Sequence, residues 1–422
     1  MAVDINVLKN IFRSLQYRNF RLYFAGQSIS LIGTWIQRVT MPWLIFSLTK
    51  SAFLLGLIVF IGQIPSLLLS PYAGVLSDRV NRYRLLLATQ ILSLIQASIL
   101  AILFISGVIE IWHIILLSIF LGCINAFDIP VRQSFVIQMV DKKEDLGNAI
   151  ALNSSMVNGA RLIGPSIAGI LIATFGEGSC FLVNALSYVF VIASLLFMTI
   201  SASKTKKKSS HIFKDLKEGF KYTFGFPYIK NIILLLALVS LMGMPYIVIM
   251  PVITKEVFQG NPQAFGFLMG ASGLGALFSA LYLASRQSVK GLGKIISFAA
   301  ATFGFGLIAF SFSRFYPLSL FFMMISGLGM MLQIASSNTI LQTLVDDHMR
   351  GRVMSFYSMA FMGISPFGSL IAGAMSKAIG ASNTLMIGGT FCILGAIIFG
   401  RKIKAIRNMS GSSPLLRTGN PE

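Results

Sequence analysis

Long apolar segments alternate with short polar segments along almost the whole chain. Each apolar segment has roughly 20 residues or more, which is the length an α-helix needs to cross the hydrocarbon core of a membrane. The pattern therefore predicts an all-α integral membrane protein with twelve transmembrane helices. The predicted spans are 21–48, 52–77, 84–107, 111–139, 146–175, 179–202, 230–256, 263–286, 294–313, 316–344, 352–378 and 382–404.

The composition supports a membrane protein. Of 422 residues, 55% are hydrophobic and 11% are charged, whereas a soluble protein has about 25% charged residues. The 34 Lys and Arg outnumber the 14 Asp and Glu, which leaves a formal net charge of +20. These basic residues lie in short segments between apolar runs, so the charge predicts membrane topology and no nucleic-acid partner.

The distribution of Lys and Arg predicts the orientation. On the side of the predicted map that holds both termini there are 27 of them, the other side has 4, and Arg38, Arg132 and Arg161 fall within spans. Because cytoplasmic loops carry the excess of basic residues, both termini are predicted to be cytoplasmic. The first apolar run is too long for a signal peptide and has no small-residue cleavage site, so we expect it to be retained.

One long polar segment, from about Ser203 to Lys230, divides the spans into six and six. The predicted domains are a six-helix bundle at 1–202, a cytosolic basic linker at 203–229, a second six-helix bundle at 230–404 and a cytosolic tail at 405–422. Lys204 and Lys206 to Lys208 predict a solvated linker, and Phe213 to Phe224 predicts a short helix on the membrane surface.

The two halves resemble one another in glycine spacing. The fifth predicted span contains Gly159, Gly164 and Gly169, and the eleventh contains the same five-residue spacing 204 positions later, at Gly363, Gly368 and Gly373. This match predicts an internal duplication, and parallel six-helix repeats are typical of one large class of transporters.

The residues do not support an enzyme. The nearest fragment to a phosphate-binding loop, Gly291 to Lys294, lacks the upstream glycine and the Ser or Thr. The three His and three Cys are scattered and predict neither a metal site nor a disulfide framework. A secondary transporter, a passive carrier and a membrane sensor remain, and the sensor would need an output domain for which the polar segments are too short.

The segment after the second span carries a candidate gate. Gly74 permits close helix approach, and Asp78 can receive Arg side chains such as Arg79 and Arg82. The string resembles the GxLaDRxGrk signature of the major facilitator superfamily, with Asn81 in place of its second Gly. The resemblance implies two pseudo-symmetric six-helix bundles around a central cavity, alternating access, and a cytosolic gate formed by these residues with Asp141. A basic loop that only sets topology is the alternative.

The fifth span contains Gly164 and Pro165 in a segment similar to the antiporter motif of drug and metabolite exporters. Together with the segment 128–133 and the run LGNAIALNSS, it resembles the superfamily branch of enterobactin exporters and macrolide efflux proteins. Lysophospholipid flippases are more distant relatives. The alternative is a tightly packed helix kink without a transport role.

Asp128 is the only acid predicted in mid-membrane. A buried ionisable group is costly unless it is paired or wet, so it is a functional candidate. We hypothesise that Asp128 takes up the proton in coupled transport and that Arg132, one helical turn away, sets its occupancy. A permanent Asp128 to Arg132 ion pair that braces the kink at Pro130 is the alternative.

One carboxylate against three guanidinium groups predicts an anionic substrate. We expect Arg38 and Arg161 to bind carboxylate or phenolate oxygens, because Arg presents paired donors. Neutral hydrogen bonds and cavity lining are predicted from five further residues: Gln37, Gln63, Tyr246, Gln333 and Asn338.

The sequence therefore predicts a proton-driven exporter of a bulky amphipathic anion in a bacterial inner membrane. It would act as a monomer, with the proton gradient as energy source and without a cofactor. Siderophore as the substrate rests on the resemblance alone. The alternatives are multidrug or macrolide efflux, lysophospholipid translocation, siderophore import and, from another class, a membrane sensor that does not transport.

Overall fold

The computed structural model describes residues 12–199, 212–286, 289 and 291–410. Over these residues the chain is helical with short connections and has no β-strand, so the predicted all-α class is confirmed. The α-helices are α1 Arg18–Thr49, α2 Ala52–Arg79, α3 Arg82–Ile105, α4 Ile111–Val136, α5 Lys143–Phe175, α6 Glu177–Leu196, α7 Ile212–Gly225, α8 Pro227–Met242, α9 Tyr246–Glu256, α10 Pro262–Ala284, α11 Leu292–Phe312, α12 Tyr316–Leu344, α13 Asp347–Ser358, α14 Ser365–Ile379 and α15 Ala381–Ser410.

Among the described residues, eleven helical segments are long and apolar enough to cross a membrane. The predicted count of twelve is not confirmed, because the predicted first span, helix α1, is not one of the eleven. Polar residues such as Gln27, Gln37 and Arg38 lower its apolar content. Gln27 and Gln37 are nonetheless buried, so they face neighbouring helices.

Two predicted spans are interrupted. The span predicted at 230–256 consists of α8 and α9, separated around Gly243 and Pro245. The span predicted at 352–378 consists of α13, a π-helical turn at Met359–Gly363 and α14. Proline lacks a backbone donor, which explains why helices restart at such positions.

The linker is only partly described. Its residues 203–211, including Lys204 and Lys206 to Lys208, lie outside the described residues, as do residues 411–422 of the predicted tail. The helix predicted from Phe213 to Phe224 is confirmed as α7, although its location on a membrane surface stays a prediction.

Compact packing divides the chain into two units. The first comprises Met1–Lys208 and Thr254–Gly273, and the second comprises Ser209–Ile253 and Leu274–Glu422. The first unit therefore takes in the end of α9 and the first half of α10, and the six-plus-six division stays a prediction.

Small residues permit close packing inside the first unit. Helix α1 packs against α5 and α6, α2 against α4, and α3 against α4 and α6. An added Cβ at Gly33 would lie 2.8 Å from Cβ of Ser187, and one at Gly122 would meet the carbonyl oxygen of Gly62. Such contacts are typical of membrane helices, where small residues let backbones approach.

The second unit is built in a similar way. Helix α11 packs against α12 and α15, α15 against α8, and α13 against α7. Gly304 of α11 lies so close to α15 that an added Cβ would meet the carbonyl oxygen of Gly389.

Corresponding turns in the two units use glycine for the same reason. Gly176 between α5 and α6 has φ +78°, and Gly380 between α14 and α15 has φ +87°. Other residue types rarely adopt such backbone angles. The two glycines are 204 positions apart, which is the offset found in the glycine pattern of the sequence.

Candidate functional site

Asp128 and Arg132 lie on one face of α4, because residues four apart are neighbours on a helix. The Nε atom of Arg132 is 3.6 Å from Oδ2 of Asp128. The Asp128 side chain is 9% exposed and that of Arg132 is 23% exposed. The predicted pairing of these two charges is therefore present, with Arg132 as the more accessible partner.

Helix α3 supplies two further partners for Asp128, and neither was predicted from the sequence. The amide nitrogen Nε2 of Gln90 donates a hydrogen bond to Oδ1 of Asp128 at 2.6 Å, and the hydroxyl of Thr89 lies 2.9 Å from the same oxygen. Thr89 and Gln90 are both buried. Their adjacency in sequence carries no sign of Asp128, since the contact spans 38 to 39 positions.

Arg38 and Arg161 are brought together at the ring of Trp35. The guanidinium carbon of Arg38 lies 4.8 Å from the centre of the ring, and that of Arg161 lies 5.7 Å from it. The two cations are thus no farther apart than the sum of these distances. Cations over the face of an indole ring are attracted by its quadrupole.

Trp35 is a residue that the sequence interpretation missed. Its position three residues before Arg38 places both side chains on one face of α1, and that spacing was the available signal. Arg161 joins them from α5, where an added Cβ at Gly164 would lie 2.5 Å from Cβ of Trp35. Gly164 therefore permits the close approach of α5 to α1, and its neighbour Pro165 is buried in α5.

Gln37 takes part in a buried polar network inside the first unit. Its Nε2 donates to Oε1 of Gln96 at 3.2 Å, and its Oε1 accepts from Asn184 at 2.7 Å. Both ends of the amide are therefore engaged by helices α3 and α6. Gln63 is half-buried in α2. Substrate binding by either residue stays a prediction.

The predicted polar residues of the second unit lie in different settings. Tyr246 is buried and packs edge to face against Phe303, with 6.1 Å between ring centres. Asn338 is half-buried and accepts a hydrogen bond from Gln342 at 3.0 Å. Gln333 is fully buried, and among the described residues neither its amide nitrogen nor its amide oxygen has a hydrogen-bond partner. A buried amide without partners is unfavourable, so Gln333 is a candidate for contact with a ligand.

The cytosolic gate predicted from the sequence is described only in part. Gly74, Asp78 and Arg79 lie in the last turns of α2, and their side chains are outside the described part of the structure. Arg82 begins α3. Asn81, the residue that departs from the superfamily signature, caps α3 by accepting from the backbone nitrogens of Tyr83 and Arg84 at 3.0 and 3.3 Å.

Asp145 is a buried carboxylate next to the start of the fifth predicted span, and the gating role of Asp141 stays a prediction. Asp141 is exposed, whereas the Asp145 side chain is 7% exposed. Arg13 Nε lies 2.6 Å from Oδ1 of Asp145, and Tyr17 and Gln16 donate to Oδ2 at 2.7 and 3.1 Å. The hydrogen bond to Asp145 raises the pKa of the Tyr17 phenol above its ordinary value.

The donor atoms do not assemble into a metal centre in the described residues. No group of three or more His, Cys, Asp or Glu side chains comes together there, and Cys123, Cys180 and Cys392 are free thiols. The described groups that can act on a small molecule or a proton are cations, hydrogen-bond donors, aromatic rings and the carboxylate of Asp128. This set is suited to binding and to moving a proton.

The sequence profile of a family described as transmembrane secretion effectors matches residues 10–415. The chain belongs to this family. The relatives of this chain include a staphyloferrin A transporter of Staphylococcus aureus, 28% identical over 91% of this chain and 97% of the relative. A macrolide efflux protein A of Streptococcus pyogenes is 21% identical over 91% and 96% of the two chains. The enterobactin exporter of Shigella boydii is 24% identical over 90% of each chain.

These relatives confirm the resemblance to the major facilitator branch of siderophore exporters and macrolide efflux proteins. They are transporters, so this member of the secretion-effector family is a multi-pass membrane transporter and not an enzyme.

Proposed function

We propose that this transporter is a proton-coupled exporter of a bulky amphipathic anion, such as a siderophore, and that it works by alternating access. The observation that carries the proposal is the convergence of Arg38 and Arg161 on the ring of Trp35. An aromatic face flanked by two guanidinium groups suits a ligand with both aromatic and anionic parts.

The balance of charges supports an anionic substrate. Asp128 is engaged by Arg132, Thr89 and Gln90. The partners of its negative charge therefore lie on α3 and α4. Asp128 does not hold Arg38 and Arg161 at Trp35. An anion that binds there would offset charge in a region where uncompensated cations are costly.

Coupling is assigned to Asp128 and Arg132. Protonation of Asp128 would release Arg132 from its ion pair, and Arg132 is the more exposed of the two. A proton and a substrate anion could then influence one another through the arrangement of the Arg side chains. Energy comes from the proton gradient, so no cofactor is required.

The remaining parts of the proposal follow from the sequence and the relatives. Export is proposed because relatives are named as an exporter and an efflux protein. The excess of Lys and Arg on one side supports cytoplasmic termini in a bacterial inner membrane. The transporter would act as a monomer in the lipid bilayer, with protons and the small molecule as its partners.

The test uses purified protein in proteoliposomes with an imposed pH gradient. Enterobactin serves as the anionic probe, and a macrolide such as erythromycin serves as the probe without acidic groups. We expect Arg38→Ala to weaken enterobactin binding by about tenfold or more, because a hydrogen bond to a charged group is lost, and to affect the macrolide less. Arg314→Ala, at an exposed position before α12, is the matched control and should leave both unchanged.

Two results would contradict the proposal. Equal losses for both probes in Arg38→Ala would remove the anion assignment. Undiminished proton-driven flux in Asp128→Asn would remove the coupling assignment. Macrolide efflux is the second candidate function, favoured by the relative of that name, and transport of the macrolide alone would select it.

A further inference from the structure

The hydroxyl group of Thr89 has two acceptors and only one proton. Its oxygen lies 2.8 Å from the backbone oxygen of Leu86 and 2.9 Å from Oδ1 of Asp128. A hydroxyl donates one hydrogen bond but can accept others. Thr89 can therefore donate to Leu86 or to Asp128, but not to both at once.

The two arrangements correspond to two protonation states of Asp128. When Asp128 is ionised, both of its oxygens are acceptors, so Thr89 must donate to it. When Asp128 carries a proton, it can itself donate to the oxygen of Thr89, and the hydroxyl of Thr89 is then free to donate to Leu86. In neither state does a buried donor lose its partner.

We propose that Thr89 is a positioning residue that turns its hydroxyl from Asp128 to the Leu86 carbonyl when Asp128 takes up a proton. This inference rests on the proposed proton coupling at Asp128. The step is balanced: a hydronium ion gives a proton to Oδ1 and becomes water, the carboxylate becomes neutral, and the proton of Thr89 stays on Thr89 while its direction changes. Release of the proton reverses the step.

The orientation of the Gln90 amide fits the first of these two states. Its Nε2 donates to Oδ1 of Asp128 at 2.6 Å, while its Oε1 is buried and has no hydrogen-bond partner in the described part of the chain. An orphaned buried oxygen is unfavourable, so this orientation is explained by donation to a charged acceptor, which is a stronger hydrogen bond. Gln90, Thr89 and Arg132 are all directed at Asp128, an arrangement that suits an ionised carboxylate.

Among the described residues, Thr89 has the one hydroxyl group that lies within hydrogen-bond distance of Asp128. Tyr23 of α1 and Tyr188 of α6 interact electrostatically with both Asp128 and Arg132, and Arg38 of α1 interacts with Arg132. Helix α2, on another side of α4, places Tyr72 against Phe127 with 6.5 Å between ring centres.

The experiment measures the pH profile of proton-driven transport in proteoliposomes for Thr89→Val and Thr89→Ser. Val has the shape of Thr without the hydroxyl, whereas Ser keeps it. We expect Thr89→Val to move the midpoint of the transport pH profile to higher pH by about one unit, because the ionised carboxylate of Asp128 loses a hydrogen-bond donor. Thr89→Ser should keep the wild-type midpoint. Substrate counterflow, which requires no net proton movement, should persist in both variants.

Thr40→Val is the matched control. Thr40 is a buried threonine that donates to the backbone oxygen of Ile36 at 2.8 Å, and it has no hydrogen bond to a carboxylate among the described residues. Loss of the Thr40 hydroxyl should leave the midpoint of the transport pH profile unchanged. Thr89→Ala replaces Thr89→Val if the Val variant does not fold.

The outcomes separate this inference from the proposed function. A midpoint that stays at the wild-type value in Thr89→Val or Thr89→Ala overturns the role of Thr89, and so does an equal shift in Thr89→Ser. A wild-type protein whose flux ignores the proton gradient, or an Asp128→Asn variant with normal coupling, overturns the proposed function whatever Thr89 does.

Discussion

The hydroxyl of Tyr17 donates a hydrogen bond to Oδ2 of Asp145 at 2.7 Å and ties the segment before α1 to the start of α5. Arg13 binds the other carboxylate oxygen at 2.6 Å. The second unit has a related contact, in which the hydroxyl of Tyr222, 205 positions after Tyr17, donates at 3.1 Å to Asp346, which is 201 positions after Asp145. In both units, a segment that precedes the first span is attached to residues at the start of the fifth span.

Asp145→Asn should destabilise the first unit. The substitution removes the charge that Arg13 and Tyr17 bind, and hydrogen bonds to charged groups are stronger than neutral ones. We expect a loss of about 1–2 kcal/mol in the free energy of unfolding, measured as a lower midpoint of thermal unfolding in detergent.

Asp141→Asn is the matched control for this prediction. Asp141 is exposed and lies four residues before Asp145. Its substitution should change stability by no more than about 0.5 kcal/mol. Equal destabilisation by both variants would show that general charge at this end of α5, and not the contact with Arg13 and Tyr17, is responsible.

The attachment of Tyr17 should weaken in alkaline solution. The pKa of Tyr17 is raised by its hydrogen bond to Asp145 above the ordinary value of 10.0, so the folded state holds the phenol proton more tightly than the unfolded state. The contribution is therefore fully present below pH 10 and is lost as the pH rises through the raised pKa.

The measurement compares thermal midpoints of the wild type and Tyr17→Phe at about pH 8 and about pH 11, on either side of the ordinary phenol pKa. The advantage of the wild type should shrink or disappear at the higher pH. A difference that stays constant would mean that the proton of Tyr17 does not contribute to the contact.

Trp35→Leu should weaken the binding of an aromatic anion. The ring of Trp35 holds the guanidinium groups of Arg38 and Arg161, and cation–π contacts contribute about 0.5–2 kcal/mol each. We expect a loss of affinity of about two- to thirtyfold, measured by equilibrium binding of enterobactin to the purified protein.

Trp112→Leu provides the comparison, because Trp112 is exposed and its indole donates to Glu110 at 2.7 Å, away from Trp35. The affinity of the Trp112→Leu variant for enterobactin should match that of the wild type. A wild-type affinity in Trp35→Leu would exclude the ring as an organiser of the two cations.

Gly169→Ala should destabilise the first unit, whereas Gly159→Ala should not. An added Cβ at Gly169 would lie 2.8 Å from Cα of Gly266 and 3.0 Å from the backbone oxygen of Pro262. Backbone must shift to accommodate it, at a cost of about 1–3 kcal/mol. At Gly159 nothing lies within 4 Å, so Ala should be neutral or slightly stabilising through its helix propensity.

Thermal unfolding of the two variants checks this contrast. Similar midpoints for Gly169→Ala and the wild type would mean that α5 and α10 are farther apart than 2.8 Å contacts require. A fall for Gly159→Ala would mean that this glycine has a partner beyond the described residues.

Contacts within one helix could be predicted from spacing alone. Asp128 and Arg132 are one turn apart, so their pairing follows from the geometry of any α-helix. The same reasoning would have found Trp35 beside Arg38. It could not find Thr89, Gln90 or Arg161, because those residues reach the site from helices whose packing is decided by side-chain fit across the whole unit.

Glycines with the same spacing in the sequence have different surroundings in the structure. Gly159, Gly164 and Gly169 have the same spacing, but helix rotation directs Gly164 toward α1 and Gly169 toward α10, with Gly159 in open space. Likewise, Asp141 and Asp145 both precede the fifth predicted span, and burial distinguishes them only once the segment from Arg13 to Tyr17 is folded against α5.

The sequence by itself determined that the chain is a helical membrane protein, and it predicted which of its charges lie inside the membrane. Both properties depend on the hydropathy of local segments, and a helix long enough to cross lipid requires no partner to satisfy its backbone. Only the tertiary structure decided which polar groups meet: Asp128 with Thr89 and Gln90, and Arg38 with Arg161 at Trp35. These contacts join residues far apart in the chain, and their geometry depends on the angles and distances at which whole helices pack.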